Sequence, residues 1–295
     1  MPRMTLWPEH SIVAPLAIWS SLVKGASYMQ RYRWQFLNLM WKTKDLLSLT
    51  IQKLSVQYGL KNALELGPLT FEKGQVIALL GPNGSGKSSF MKALARQIKA
   101  LTEVFLDTKP LAQEQISYMP QEMGVAPMLR VFEMILLGRV KSLKTTVSTQ
   151  DWQAVQAIID QLGIQNLTQQ MMNELSGGQK QLVFLAQALV AQPEVLLLDE
   201  PMSALDVKNQ FQVMSLIKEQ TRQRQLITFI ILHDFILASQ FCDECILLKQ
   251  GQVIATGGLA ELHNLSPIET TFDVHAQWFY AKTGQQCIQA IGVKT

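Results

Sequence analysis

The run Gly81-Pro82-Asn83-Gly84-Ser85-Gly86-Lys87-Ser88 fits G-x-x-x-x-G-K-[ST] at every fixed position. Glycines at these places let backbone N–H groups turn inward onto phosphate oxygens. An apolar run, Gln75–Leu80, precedes the glycines, and a helical stretch opens at Lys87. The start of that helix adds its own partial positive charge. Lys87 is then placed to reach the β- and γ-phosphates of a nucleoside triphosphate, and the Ser88 hydroxyl to ligate Mg²⁺. A second hydroxyl, Ser89, follows directly. A ligand-free glycine turn would leave the agreement of motif and context unexplained. The spacing is not G-x-G-x-x-G, which disfavours a dinucleotide site.

Two further groups fit the same chemistry. Val195-Leu-Leu-Leu198 is an apolar strand that ends in Asp199-Glu200. Acids at the C-terminal end of a parallel strand sit where such sheets bind ligands. Asp199 suits a Mg²⁺ ion held through water, and Glu200 suits a general base that polarises an attacking water. Leu175-Ser176-Gly177-Gly178-Gln179 precedes another helix. A Ser, two Gly and a helix N-terminus make a second anion cradle. One chain binds one γ-phosphate, so the second cradle is redundant unless it serves a nucleotide held by a partner subunit.

The elements that must position these groups alternate between strands and helices. Leu47–Val56 alternates apolar and polar residues, as a half-buried strand does. Gln75–Leu80, Val195–Leu198 and Leu226–Leu232 read as short apolar strands. Helices are expected over Lys87–Lys99, Asp151–Gly163 and Gln179–Ala191, with Gly163 as a C-cap. Apolar strands alternating with helices predict an α/β fold with a largely parallel sheet. There is no internal repeat.

With these motifs in order, the sequence resembles the ATP-binding-cassette (ABC) ATPases, whose signature motif is similar to Leu175–Gln179. The resemblance runs from about Leu47 to Gly257. Tyr58 matches the aromatic that stacks on adenine. Gln121, in Tyr-Met-Pro-Gln, matches the Q-loop glutamine, a Mg²⁺ ligand and sensor of the transmembrane partner. Ser203-Ala-Leu-Asp206 matches the D-loop, and His233 the switch histidine at the γ-phosphate. The resemblance implies a P-loop NTPase with a RecA-like core, an antiparallel β-subdomain and an α-helical signature subdomain over about 122–190. It also implies a head-to-tail dimer. Each ATP, with Mg²⁺, would lie between Gly81–Ser89 of one subunit and Ser176–Gln179 of the other, with Asp206 at the interface. Three departures stand out: Ser89 replaces a usual Thr, Gln187 replaces a common Arg, and Lys99–Gln121 is short enough to trim the β-subdomain.

Composition bounds the rest. The 295 residues are 48% apolar and 17% charged, so a large core is expected and disorder is not. The net charge of +3 and a near-neutral body lack the basic stripe of a nucleic-acid binder. Three Cys cannot build a disulfide framework, which favours a reducing compartment. Cys242 and Cys245 read as a helix-end Cys and a buried strand Cys rather than a zinc pair. The segment 1–46 carries six basic and two acidic residues and four of the six Trp. This break marks it as an appendage, read as a disordered tail or an early start rather than as an interfacial helix. The cassette is expected over 47–258 and a tail with a β-hairpin over 259–295.

Ser11–Val23 is 13 residues long and too short to span a bilayer. A transporter role therefore needs a separate polytopic permease, with the chain peripheral on the cytoplasmic face of the membrane. Val131–Arg139, Leu232–Asp243 and a hairpin starting near Thr271 with a turn at Thr283-Gly284 are similar to the ATPases of metal-chelate importers. That similarity implies iron(III)-siderophore or a related chelate as cargo, with a substrate-binding protein as an indirect partner. Other readings are an importer of zinc, manganese or another small solute, an exporter, and a cassette ATPase outside transport. A kinase or GTPase would leave Leu175–Gln179 and His233 unexplained.

Overall fold

The computed structural model describes residues 48–59, 61–121, 128–140, 147–258, 265–280, 284 and 286–294. The basic N-terminal segment lies outside them, and so does Thr283 of the expected C-terminal turn.

The central layer is a six-stranded sheet. Its parallel strands are β4 (Val76–Leu80), β7 (Ile116–Met119), β8 (Val195–Leu198), β9 (Ile227–Ile231) and β10 (Glu244–Lys249). An antiparallel edge strand, β11 (Gln252–Gly257), completes the order β11-β10-β4-β9-β8-β7. Every residue of β4, β8 and β9 is buried, because both faces of the sheet are covered. Alternate side chains therefore enter two different cores. Ile77, Leu79, Leu197 and Phe229 face one, while Ala78, Leu80, Leu198 and Ile230 face the other.

The first core is closed by an antiparallel sheet of β1 (Ser48–Tyr58), β2 (Lys61–Leu66), β3 (Leu69–Glu72), β5 (Leu101–Leu106) and β6 (Lys109–Pro110), together with α1 (Lys87–Leu94). Phe229 sits edge-on to Phe71 at 5.1 Å and to Phe90 at 5.3 Å, joining the three layers. Phe229→Ala is expected to cost about 3–5 kcal/mol, read as a lowered denaturant midpoint with an unchanged slope.

The second core is closed by α2 (Val131–Leu136), α3 (Thr149–Leu162), α4 (Gly177–Val190), α5 (Val207–Arg224) and α6 (Phe235–Phe241). Ser148 caps α3 reciprocally with Asp151, and Gly163 ends it in the left-handed conformation, as expected. Stacking of Phe132 on Trp152 joins α2 to α3. Arg139 pairs with Asp151 at 3.0 Å and reaches Gln192 beyond α4 at 3.0 Å.

Two expectations are corrected. The helix opening at Lys87 ends at Leu94, not Lys99: Arg96 turns left-handed at φ 55 and donates to Leu111 O. The chain must reverse there, because Leu101 already pairs with Ser55 of β1. The short segment after Lys99 still supplies the antiparallel layer with β5 and the two-residue β6. Near the C-terminus, Thr271 and Phe272 end helix α7 (Ser266–Phe272) instead of opening a strand. After Asp273 the chain forms the antiparallel pair β12 (Val274–Tyr280) and β13 (Gln286–Val293). Cys242 caps α6 and Cys245 is buried in β10, as read from the sequence.

Candidate nucleotide site

The phosphate loop is built where β4 stops and α1 begins. Gly86, at φ 107, is the N-cap of α1, so the first helical N–H groups carry no side-chain cap and face outward. Gly81 lies so close to β10 that a Cβ would stand 2.2 Å from Leu248 O. Ser85 N closes the loop onto Pro82 O at 3.2 Å. Lys87 Nζ donates to Gly81 O at 2.8 Å and Pro82 O at 3.0 Å, folding back over the loop. Burial lowers the Lys87 pKa, while the Glu200 and Asp199 carboxylates oppose that shift.

Asp199 and Glu200 arrive at the end of β8. Asp199 is 1% exposed, and its burial raises its pKa against hydrogen bonds from Ser88 and Tyr118. Ser88 Oγ stands 3.4 Å from Asp199 Oδ1, and Tyr118 OH stands 3.3 Å from Oδ2. Burial, then the Asp199 charge, raises the Tyr118 pKa, so the phenol stays a donor. Glu200 sits in the left-handed region at φ 51, a costly conformation for a residue with a side chain. Both of its oxygens are engaged: Gln121 Nε2 donates to Oε2 at 2.8 Å, and His233 Nε2 lies 2.7 Å from Oε1.

These groups border one cavity of about 1030 Å³. Tyr58, Asn83, Gly84, Gly86, Lys87, Ser88, Ser89, Gln121, Glu200 and His233 line it. Gly81, Pro82 and Ser85 complete the loop behind Lys87, and Asp199 stands behind Ser88. Ser176, Gly177, Gly178, Gln179 and Asp206 do not line it. Ser176 and Gln179 instead cap the start of α4 reciprocally, with Ser176 and Gly177 exposed. Asp206 caps α5 by accepting from Asn209 N at 2.8 Å. The two outlying groups are joined to each other. Gln181 of α4 donates to Ser203 Oγ at 2.7 Å and accepts from Ala204 N at 3.0 Å.

The sequence motifs assign no role to Tyr118 and omit Asn62, Ala63 and Gln250, although the last three line the cavity. Only Gln250-Gly251 gave a local signal, as a turn dipeptide.

The residues present fit a Mg²⁺-bound triphosphate. Ser85 Oγ is buried without a hydrogen-bond partner in the loop. The glycines leave backbone room that a Cβ would fill. Ser88 and Asp199 offer the hard oxygen donors that Mg²⁺ takes.

Comparison with known proteins agrees with this geometry. Residues 67–203 match the family model described as ABC transporter. An uncharacterised ABC transporter ATP-binding protein of Methanocaldococcus jannaschii is 34% identical over 75% of this chain and 90% of its own length. The petrobactin import ATP-binding protein YclP of Bacillus subtilis is 28% identical over 76% of this chain and 92% of its own. Among solved structures, an inward-facing metal-chelate type ABC transporter superposes with a TM-score of 0.72 at 23% identity. It covers 83% of this chain and 98% of its own. The phosphate loop, the acid pair and the helical layer are thus those of an ATP-binding cassette, and this chain belongs to the ABC transporter ATP-binding proteins.

Proposed function

We propose that this chain is the motor subunit of an importer for iron(III)-siderophore or a related metal chelate. Binding and hydrolysing ATP to drive transport is the activity of its family. The observation that carries the reading is the split site. Lys87, Ser88, Gln121, Glu200 and His233 meet in one cavity, while Ser176–Gln179 and Asp206 stand outside it. The outlying group suits the nucleotide of a second copy. Two chains meeting head to tail would then enclose each ATP between Gly81–Ser89 of one and Ser176–Gln179 of the other. Greater affinity of ATP for the closed pair than for separate chains is what does work.

Each residue has a role in this scheme. Tyr58 stacks on adenine. Asn83, Gly84 and the first turn of α1 donate N–H groups to phosphate oxygens. Lys87 leaves the Gly81 and Pro82 carbonyls for the β- and γ-phosphates. Ser88, Asp199 and Gln121 would hold Mg²⁺, which would supply charge neutralisation at the phosphate oxygens. Glu200 accepts a proton from the water that attacks the γ-phosphorus, and ADP leaves. In the structure both Glu200 oxygens are occupied by Gln121 and His233, so the base is held until those contacts part. His233 then donates to the γ-phosphate.

A cavity of about 560 Å³ beside Gln121 suits the permease. It runs between Tyr118–Pro120 and the helical layer at Leu137, Phe184 and Gln187. No helix among the described residues is long and apolar enough to cross a membrane. We place the chain on the cytoplasmic face of the membrane, bound to a polytopic permease and indirectly served by a substrate-binding protein. The cassette spans 47–258, between an appended 1–46 and the tail 259–295. The cargo rests on two supports. YclP is a petrobactin import protein by name, and the sequence around Val131–Arg139 and Leu232–Asp243 is similar to that of chelate importers.

Reconstitution with a chelate-type permease and its binding protein in liposomes tests this. ATP hydrolysis is expected to rise on adding the permease, with iron-siderophore accumulating inside. Stimulation by DNA or RNA, with no permease association, would overturn the proposal.

A further inference from the structure

The turn between β10 and β11 is braced on three sides. Gly251 N donates to Ser85 O in the phosphate loop at 2.9 Å, and Gly251 O accepts from Glu65 N of β2 at 2.9 Å. Gly251 is seated so closely that a Cβ there would stand 2.5 Å from Ala63 O. On the other side, Lys249 Nζ pairs with Asp273 Oδ1 at 3.0 Å and donates to Thr270 O at 2.5 Å, tying the turn to the end of α7. Exposed ion pairs contribute little by themselves. The attachments act together on the short turn Lys249–Gly251.

Gln250 lies between these anchors. Its backbone is left-handed at φ 52, where Asn or Gly is the ordinary choice. Its side chain is exposed and has no hydrogen-bond partner among the described residues. Gln250 lines the nucleotide cavity together with Asn62, Ala63 and Tyr58. Asn62 pairs across the hairpin with Gln57, one position from Tyr58, so this is the Tyr58 end of the cavity. Lys87, Glu200 and His233 hold the phosphate chemistry, and the turn presents a carboxamide with two donors and one acceptor to what remains of the ligand.

We infer that Gln250 recognises the nucleoside half of the bound triphosphate through a hydrogen bond from its carboxamide. The inference rests on the reading that this cavity takes ATP. Because the turn is fixed to the phosphate loop and to β2, the backbone from which the carboxamide reaches keeps a set place beside the phosphate loop.

Equilibrium binding to the full chain tests the assignment, with Mg²⁺ present throughout. The probes are ATP and inorganic tripolyphosphate, which lacks a nucleoside. Gln250→Gly relaxes the backbone while deleting the carboxamide, and Gln250→Asn keeps a shorter one in a conformation Asn tolerates. Gln250→Gly is expected to weaken ATP binding by roughly 3- to 10-fold, the size of one ordinary hydrogen bond. Tripolyphosphate affinity should stay level, with Gln250→Asn falling between. Two further ligands locate the contact. A ribose contact makes wild type and Gln250→Gly bind 2′-deoxyATP alike, whereas a base contact makes them bind GTP alike. Equal ATP affinities in wild type and Gln250→Gly would overturn the inference, and so would a parallel loss for tripolyphosphate. Failure of the wild type to bind either probe would instead overturn the ATP reading on which it stands.

Discussion

Glu200→Gln is expected to lower ATP turnover by roughly 100- to 10,000-fold, the range general-base catalysis supplies, while ATP still binds. The substitution keeps the shape of the side chain and its contact with His233. It removes the one group at the end of β8 that is both open to the cavity and able to take a proton. Asp199 cannot substitute, because it is 1% exposed and engaged by Ser88 and Tyr118. In the proposed head-to-tail pair hydrolysis lets the two chains separate, so the variant should accumulate as an ATP-dependent dimer. Single-turnover kinetics and size-exclusion chromatography with and without ATP read the two effects. Wild-type turnover in the variant would remove Glu200 from the mechanism.

The site's legibility in the sequence followed the range of its interactions. Gly81–Ser88 was readable because its function lies in local backbone shape, which spacing alone specifies. Asp199 and Glu200 were readable because a four-residue apolar strand must end where the charge begins. Tyr118 stands in Tyr-Met-Pro-Gln121, where spacing alone assigns it no task. Its reach to Asp199 depends on the parallel register that sets Tyr118 beside Leu197 and Met119 beside Leu198. Gln250 is further still from local reading, since a turn more than 160 residues along the chain from the phosphate loop matters only once Gly251 docks against Ser85 and Ala63.

The misread boundaries have similar causes. Residues 95–99 continue an acceptable helical pattern, yet β5 must return to β1, and tertiary pairing outweighs propensity. At the C-terminus the alternating pattern over Thr271–Phe279 concealed a stronger signal. Pro267, in the first turn of α7, marks a helix start that the apolar spacing did not reveal.

The split site makes a further demand that a single variant cannot test. Lys87→Ala removes the buried ammonium from the phosphate loop. Gly177→Asp puts a negative charge at the exposed start of α4, where the partner's phosphates are proposed to sit. The second change suits its own subunit, because a Cβ at Gly177 meets only Ala204 Cβ at 3.5 Å and a helix N-terminus tolerates an acid. Each variant alone is expected to lose roughly 100-fold or more of its turnover, the scale of removing a key electrostatic group. Mixed in equal amounts, half of the dimers pair one variant with the other. In each such dimer the Gly177→Asp chain contributes an intact phosphate loop and the Lys87→Ala chain an intact Ser176–Gln179. Activity should therefore return to about one quarter of wild type if the two composite sites act independently. No other arrangement of the same residues regenerates activity from two inactive proteins. A mixture as inactive as its parts would mean that each chain completes its own site, and the head-to-tail pair would have to be abandoned.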